Sequence, residues 1–341
     1  MSDPVQHLDE KRLTGYLEQH VEGFCGPLRA EKFSGGQSNP TFRLTASSGE
    51  YVLRRKPPGE LLKSAHAVDR EYRVMRALRD TDVPVPAQYH LCEDESVIGS
   101  IFFIMAFMPG RVFWNATLAE FDPAGRAAVY QEMCRVLAAI HAVEPASVGL
   151  ADYGRPGNYY QRQLARWTKQ YRASETQPIE AMEDLMAWLP AHLPDDDGRV
   201  GLIHGDYRLD NLIFHPEQPR IIGVVDWELS TLGHPFADLA YQCMQWRLPT
   251  EGPLPGLGDA DRASLGIPTE EQYVASYCHR MGIEGITDWN FYLAFSFFRL
   301  AAIFQGILKR SLDGTASSDR ALQMGAMARP VAELGCRAAS V

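Results

Sequence analysis

Early in the chain, apolar and polar residues alternate as in β-strands; later, helical spacing takes over. Thr41-Phe42-Arg43-Leu44 alternates strictly, and Glu50-Tyr51-Val52-Leu53-Arg54-Arg55-Lys56 reads as the next strand. Successive strand side chains take opposite faces, so Val52, Arg54 and Lys56 share one face and Leu53 and Arg55 the other. Over 65–78 the period changes, with Val68, Met75 and Leu78 marking one face of a helix. Glu71 lies three positions after Val68 and four before Met75, inside that apolar stripe. A carboxylate buried there without a partner would be expensive, so it demands a cation; Arg54 is the expected partner, the alternatives being a local pair with Arg70 or Arg73 and a strand end whose basic residues are simply solvated. The prolines of Val83-Pro84-Val85-Pro86 enforce extended chain, and Ile101-Phe102-Phe103-Ile104-Met105-Ala106-Phe107 reads as a buried strand leaving through Met108-Pro109-Gly110.

Further on, Asp122-Pro123 is a helix start, followed by Val129, Met133, Val136 and Ile140 at helical spacing. His141 beside that stripe reads as a structural histidine with its hydrogen bonds satisfied. Over 158–172, Arg162, Arg166 and Lys169 line up beside Tyr159, Trp167 and Tyr171, which gives either a solvated amphipathic face or a basic shelf for an anionic ligand. Asp195-Asp196-Asp197-Gly198 reads as a loop before the strand Gly201-Leu202-Ile203. Ile213-Phe214 and Ile221-Ile222-Gly223-Val224-Val225 flank a turn between Pro216 and Pro219 and predict a hairpin. The Pro- and Gly-rich stretch 249–268 predicts a surface excursion, helices start from Glu270 and Asp288, and the tail after Gly314 is expected to pack loosely.

Composition narrows the possible functions. At 341 residues the chain can build two sizeable cores. A net charge of −10 disfavours nucleic-acid binding, which needs a concentrated basic surface. The first residues lack the apolar run of a signal peptide. The stretch 289–308 approaches spanning length, but Arg299 and Gln305 would be costly in lipid, so a buried helix is expected and no membrane role. The six cysteines are scattered, without Cys-x-x-Cys pairs, a pattern of reduced thiols in a cytoplasm.

The strongest chemical signal is the order His204-Gly205-Asp206, Asn211 after four intervening residues, and Asp226-Trp227-Glu228 beyond the hairpin. Any one of these Asp or Asn residues could be turn chemistry, since both bond their own backbone readily. Together and in this order they supply what phosphoryl transfer from a metal-bound nucleotide needs. One carboxylate serves the acceptor hydroxyl, and an amide oxygen and a second carboxylate serve magnesium.

This block resembles the catalytic and metal-binding loops of the aminoglycoside phosphotransferase and choline kinase group, small-molecule relatives of protein kinases. Protein kinases carry His-Arg-Asp and Asp-Phe-Gly; Gly205 and the short hairpin here point to the small-molecule branch. The resemblance implies an α+β, protein kinase-like fold of two lobes. Residues 1–108 would form a nucleotide-clamping lobe with an antiparallel sheet and one packed helix. Residues 109–341 would form a larger, mainly helical lobe holding the catalytic and acceptor sites.

It also implies ATP and Mg2+ as cofactors, Asp206 as the catalytic carboxylate, Asn211 and Asp226 as metal ligands, and a bracing role for Asp238. Nucleotide contacts fall on Gly36, Gln37 and Ser38 of a phosphate-covering turn, on Arg54 with Lys56 as the alternative, on Glu71, and on the hinge residues Met105, Ala106 and Phe107. Arg162, Arg166 and Glu228 are acceptor candidates. The words Val52-Leu53-Arg54-Arg55-Lys56-Pro57-Pro58-Gly59, Asn158-Tyr159-Tyr160-Gln161-Arg162 and Asp226-Trp227-Glu228 look most like the kinase domains fused to certain acyl-CoA dehydrogenases. That likeness implies a hydroxylated small-molecule acceptor such as a hydroxyacyl-CoA. An aminoglycoside or amino alcohol is the alternative within the class. Outside it stand a nucleotide-binding pseudokinase and a two-metal hydrolase built from His204, Asp206, Asp210, His215, Asp226 and His234.

Overall fold

The computed structural model describes residues 8–33, 39–57, 67–155, 157–314 and 319–340. The chain divides into two compact units, and the division does not follow chain order. The first comprises Met1–Arg111, Val148–Leu150 and Asn211–Ser230; the second comprises Val112–Ser147, Ala151–Asp210 and Thr231–Val341.

The first unit is built on a five-stranded antiparallel sheet in the order β1-β2-β3-β5-β4, from β1 (Leu28–Lys32), β2 (Thr41–Ala46), β3 (Gly49–Arg55), β4 (Gln88–Cys92) and β5 (Phe102–Ala106). The period-two pattern decides what covers each face. Phe42, Leu44, Leu53, Phe102 and Ile104 join Leu13, Leu17 and Val21 of helix α1 (Glu10–His20) and its exit in one apolar cluster. Helix α2 (Val68–Leu78) packs on β4 and β5 and sets Tyr72 against Phe103, which has the opposite parity. Helix α1 was not expected. Its signal was present in the Asp9 cap, which accepts from the Arg12 amide, and in Leu13 and Leu17 one turn apart.

A short ribbon completes this unit: β7 (Leu212–Phe214) pairs antiparallel with β8 (Ile221–Val224). It is tied down at Arg111, whose backbone exchanges two hydrogen bonds of 2.8 Å with Phe214. The predicted hairpin is therefore present, although its second strand ends one residue earlier than the apolar run.

The second unit is mainly helical. It contains α3 (Pro123–Ala142), α4 (Tyr159–Ser174), α5 (Glu180–Ala191), a two-stranded pair of β6 (Gly201–Ile203) and β9 (Thr231–Gly233), α6 (Phe236–Cys243), α7 (Arg262–Leu265), α8 (Glu270–Met281), α9 (Trp289–Leu312), α10 (Asp319–Ala326) and α11 (Ala328–Ala339). Asp122 caps α3 as expected, accepting from the Gly125 amide with Pro123 in the first turn.

Helix α9 is the core helix of this unit, packed against α4, α5, α6, α10 and α11. It is long and apolar enough to cross a membrane, yet 78% of its apolar window is buried within the protein. Gln305 Nε2 donates to the Ser174 carbonyl and the Thr176 hydroxyl. One expectation is corrected. The tail does not pack loosely: α11 buries Val331, Ala332 and Cys336, because small residues let it approach α9 closely. The stretch 249–268 is mostly at the surface, as expected, anchored by buried Leu257 and Ile267 and by backbone bonds from Gly256 to Pro249 and from Gly258 to Leu248.

Candidate active site

The residues expected to handle phosphate converge within the first unit. Strand β3 carries Arg54 inward, where Nε donates to Glu71 Oε2 of α2 at 2.7 Å and Nη2 donates to Asp226 Oδ1 at 2.5 Å. Glu228 Oε2 lies 3.9 Å from the same nitrogen and accepts from Asn39 Nδ2 at 3.1 Å. Arg54 and Arg55 are both buried, so neither belongs to a solvated strand end. Arg55 lies against the Phe42 ring on the other face. Lys56 is half-buried and continues the sheet with its amide on the Ile101 carbonyl.

One guanidinium faces three carboxylates, so they cannot all be neutralised by it. Burial pushes the Glu71 carboxyl up to about 7 against the pull of Arg54, and the charges on Asp226 and Glu228 push the same way. Arg54 itself is held firmly protonated: its burial is outweighed by Glu71, then Asp226, then Glu228.

Asn211 and Asp226 sit at adjoining ends of the ribbon, where the Val225 amide donates to the Asn211 carbonyl at 3.0 Å. Asn211 is buried, and Asp226 adopts a left-handed backbone, φ 66° and ψ 54°, which aspartate tolerates better than most residues. A carboxylate and an amide oxygen are hard donors of the kind magnesium takes, and the cation of Arg54 beside them suits phosphate oxygens. The donor set therefore fits a magnesium-bound nucleotide.

Of the other nucleotide candidates, Gly36, Gln37 and Ser38 lie outside the described residues. Met105 and Ala106 end β5, with Phe107 just beyond. The Ala106 amide is already donated to the Ala87 carbonyl at 2.8 Å, which narrows the hinge groups open to a base to those of its neighbours.

The loop of His204, Gly205 and Asp206 lies in the second unit, directly after β6. Asp238 of α6 is fully buried beneath it and accepts from the His204 amide at 2.6 Å and the Gly205 amide at 2.8 Å. Its third partner is His141 Nε2 at 3.4 Å, and His141 Nδ1 is hydrogen-bonded to Tyr277 Oη at 2.7 Å. Burial alone would raise the Asp238 carboxyl, but His141, His204 and the Gly205 amide outweigh it and hold the group below the usual aspartate range. His204 Nδ1 accepts the Asp206 amide at 3.2 Å, so the histidine shapes the turn. Gly205 supplies the φ of +85° that the turn requires.

Asp206 is partly exposed, with Arg208 Nε at 3.5 Å, and Arg208 also pairs with Asp210 at 2.5 Å. Arg208 was missed in the sequence, although its place midway between the two aspartates was the signal.

On α4, Arg162 gives Nη2 to the Arg155 carbonyl at 2.7 Å, and the exposed Arg166 lies over the Trp167 ring. Glu228 lies in the first unit, beside Arg54 and Asn39. The two-metal hydrolase set is not assembled. Among the described residues no group of three or more His, Cys, Asp or Glu side chains could hold an ion.

Known proteins place these observations. A candidate aminoglycoside phosphotransferase from Ralstonia eutropha JMP134 is 54% identical, with a TM-score of 0.89 over 98% of this chain and 99% of that one. The ternary complex of aminoglycoside phosphotransferase APH(4)-Ia with ADP and hygromycin B shares the fold at a TM-score of 0.64, with 15% identity over 97% of this chain and 98% of that one. Acyl-CoA dehydrogenase family member 10 of Mus musculus is 51% identical over 95% of this chain, and family member 11 of Rattus norvegicus is 42% identical over 97%. This chain spans 30% and 43% of those two proteins respectively. A phosphotransferase family model matches residues 29–273, a span that includes Arg54, Glu71, Asp206, Asn211 and Asp226, and the chain belongs to that phosphotransferase enzyme family.

Proposed function

We propose that this protein transfers the γ-phosphoryl group of MgATP to a hydroxyl of a small molecule, and that a hydroxyacyl-CoA or related hydroxy acid is the acceptor. The observation that carries the reading is the Arg54 junction, which binds Glu71 and Asp226 together at one end of the Asn211 ribbon. Such a cluster has little purpose in a core, where three carboxylates about one cation are costly. It suits a site that receives further positive charge with a polyphosphate.

In this reading Asp226 and Asn211 hold the magnesium, and Arg54, set by Glu71, meets the non-transferred phosphates. Magnesium, when bound, neutralises charge on the phosphate oxygens and draws the transferred group into line. Asp206 orients the acceptor hydroxyl and accepts its proton as the new oxygen–phosphorus bond forms and ADP departs with the electrons of the broken one. Asp238, His141 and His204 fix the backbone that presents Asp206.

Support for the nucleotide comes from fold neighbours solved with ADP or AMP-PNP, and support for an acyl acceptor from the acyl-CoA dehydrogenase family relatives. An aminoglycoside or amino alcohol is the second reading, favoured by the Ralstonia neighbour. A cytoplasmic setting accords with the cysteines, all free thiols.

The test is magnesium-dependent ADP release measured against hydroxylated acyl-CoAs, aminoglycosides and amino alcohols. Turnover that requires an acyl-CoA hydroxyl supports the first reading; turnover on the cationic acceptors alone replaces it with the second. MgATP binding with no turnover on any of the three classes would leave a nucleotide-binding pseudokinase.

A further inference from the structure

Arg299 is a cation in the interior of the most apolar helix of the chain, and nothing in the reaction so far uses it. It is 7% exposed on α9, and its Nη2 donates to the Gly205 carbonyl at 2.6 Å. Its guanidinium carbon lies 5.0 Å from the ring centroid of Tyr241 and 5.7 Å from that of Trp167. These partners are a carbonyl oxygen and two aromatic faces rather than a carboxylate. A cation in such surroundings is costly to bury, and the ring faces return only part of that cost. A core designed for stability alone would place Leu or Met there.

Geometry shows what the cation is positioned to do. Gly205 is the residue before Asp206, and the two peptide groups that flank its Cα are held by opposite charges. Its amide donates to Asp238 from one side, while its carbonyl accepts from Arg299 on the other. Tyr241 extends the brace, since its ring lies under Arg299 while burial and the neighbouring Asp206 carboxylate hold its hydroxyl protonated. Helices α6 and α9, which pack together, thus fix the two successive peptide groups that meet at Gly205 and lead into Asp206.

We propose that Arg299 is a positioning residue for Asp206, fixing the Gly205–Asp206 peptide through its carbonyl, and that Tyr241 transmits this restraint to the Asp206 carboxylate. The proposal rests on the phosphotransfer reading for its kinetic consequence, but its structural consequence stands apart. Lysine at 299 keeps the charge but lacks the planar fork that can stack between two rings while bonding a carbonyl. Phenylalanine at 241 keeps the ring under the guanidinium and removes only the hydroxyl.

The experiment compares wild type, Arg299→Lys, Tyr241→Phe and Asp206→Ala in the full chain. Amide hydrogen exchange is followed over 203–207, together with kcat and the ATP KM for ADP release. In Arg299→Lys, exchange at His204 and Gly205 rises on the order of tenfold or more. Its kcat falls on the order of tenfold to a hundredfold, and the ATP KM stays within about twofold of wild type. Tyr241→Phe lowers kcat on the order of several-fold with exchange near wild type.

Wild-type exchange and kcat in Arg299→Lys overturn the proposal. So does a loss in which exchange rises throughout the second unit, for then Arg299 serves only the core. Should Asp206→Ala turn over like wild type, the phosphotransfer reading fails, while the exchange measurement still decides whether Arg299 fixes the loop.

Discussion

Arg54 and Glu71 form a buried ion pair at 2.7 Å that fastens strand β3 to helix α2. Seventeen residues separate them along the chain. The pair converts a strand position and a helix position into one fixed point for charge. Removing one partner of such a buried pair typically costs about 3–5 kcal/mol, because the other is left uncompensated.

The protonation of Glu71 gives this junction a pH signature. Its folded-state value of about 7 lies above the ordinary 4.5, so the folded protein holds this proton more readily than the unfolded chain. The contribution is fully present below 4.5 and is lost as pH rises through about 7. Glu71→Gln removes the titration. Wild type should therefore lose stability relative to Glu71→Gln between pH 5 and pH 8, as measured by urea denaturation at constant ionic strength. A difference that does not vary with pH would show that Glu71 is already ionised throughout.

Asp206 and Asp226 should separate chemistry from binding. Asp206→Ala is expected to lower turnover on the order of a hundredfold to ten-thousandfold while MgATP affinity, followed by calorimetry, stays near wild type. Asp226→Ala should also lose the magnesium dependence of nucleotide binding. Equal turnover in Asp206→Ala and wild type would remove Asp206 from the reaction.

Asp238 should prove structural and indispensable. Asp238→Asn cannot accept two amides and a histidine as the carboxylate does, and a stability loss of about 3 kcal/mol is expected. Because its folded value lies below that of an ordinary aspartate, the advantage of wild type is full above the ordinary value. It closes as pH falls through the depressed one. Denaturation of both proteins from neutral to acid pH gives the comparison, and an advantage that grows on acidification contradicts this account.

Gly205→Ala should strain the catalytic turn without disturbing the first unit. A side chain at φ +85° costs about 1–2 kcal/mol. The expected outcome is a modest fall in melting temperature, a larger fall in kcat, and unchanged MgATP binding by calorimetry.

The sequence alone determined the order of the chemical groups and several of their local settings. Period-two alternation marked β2 and β3, helical spacing turned Glu71 inward, and that inward carboxylate required the cation found at Arg54. The Asp122 cap, the β7–β8 hairpin and the buried helix around Arg299 were equally legible, because each depends on neighbours only a few residues away.

Only the tertiary structure decided which distant groups would share those settings. It brought Glu228 and Asn39 to the Arg54 junction, bound Arg162 to a backbone carbonyl, set Arg299 on Gly205, and packed the tail against α9. Spacing along a helix or strand tells which face a residue occupies, since backbone geometry fixes that locally. It does not tell what will cover the face, because that choice is settled by the packing of whole elements, in which every buried charge must find its partner across the fold.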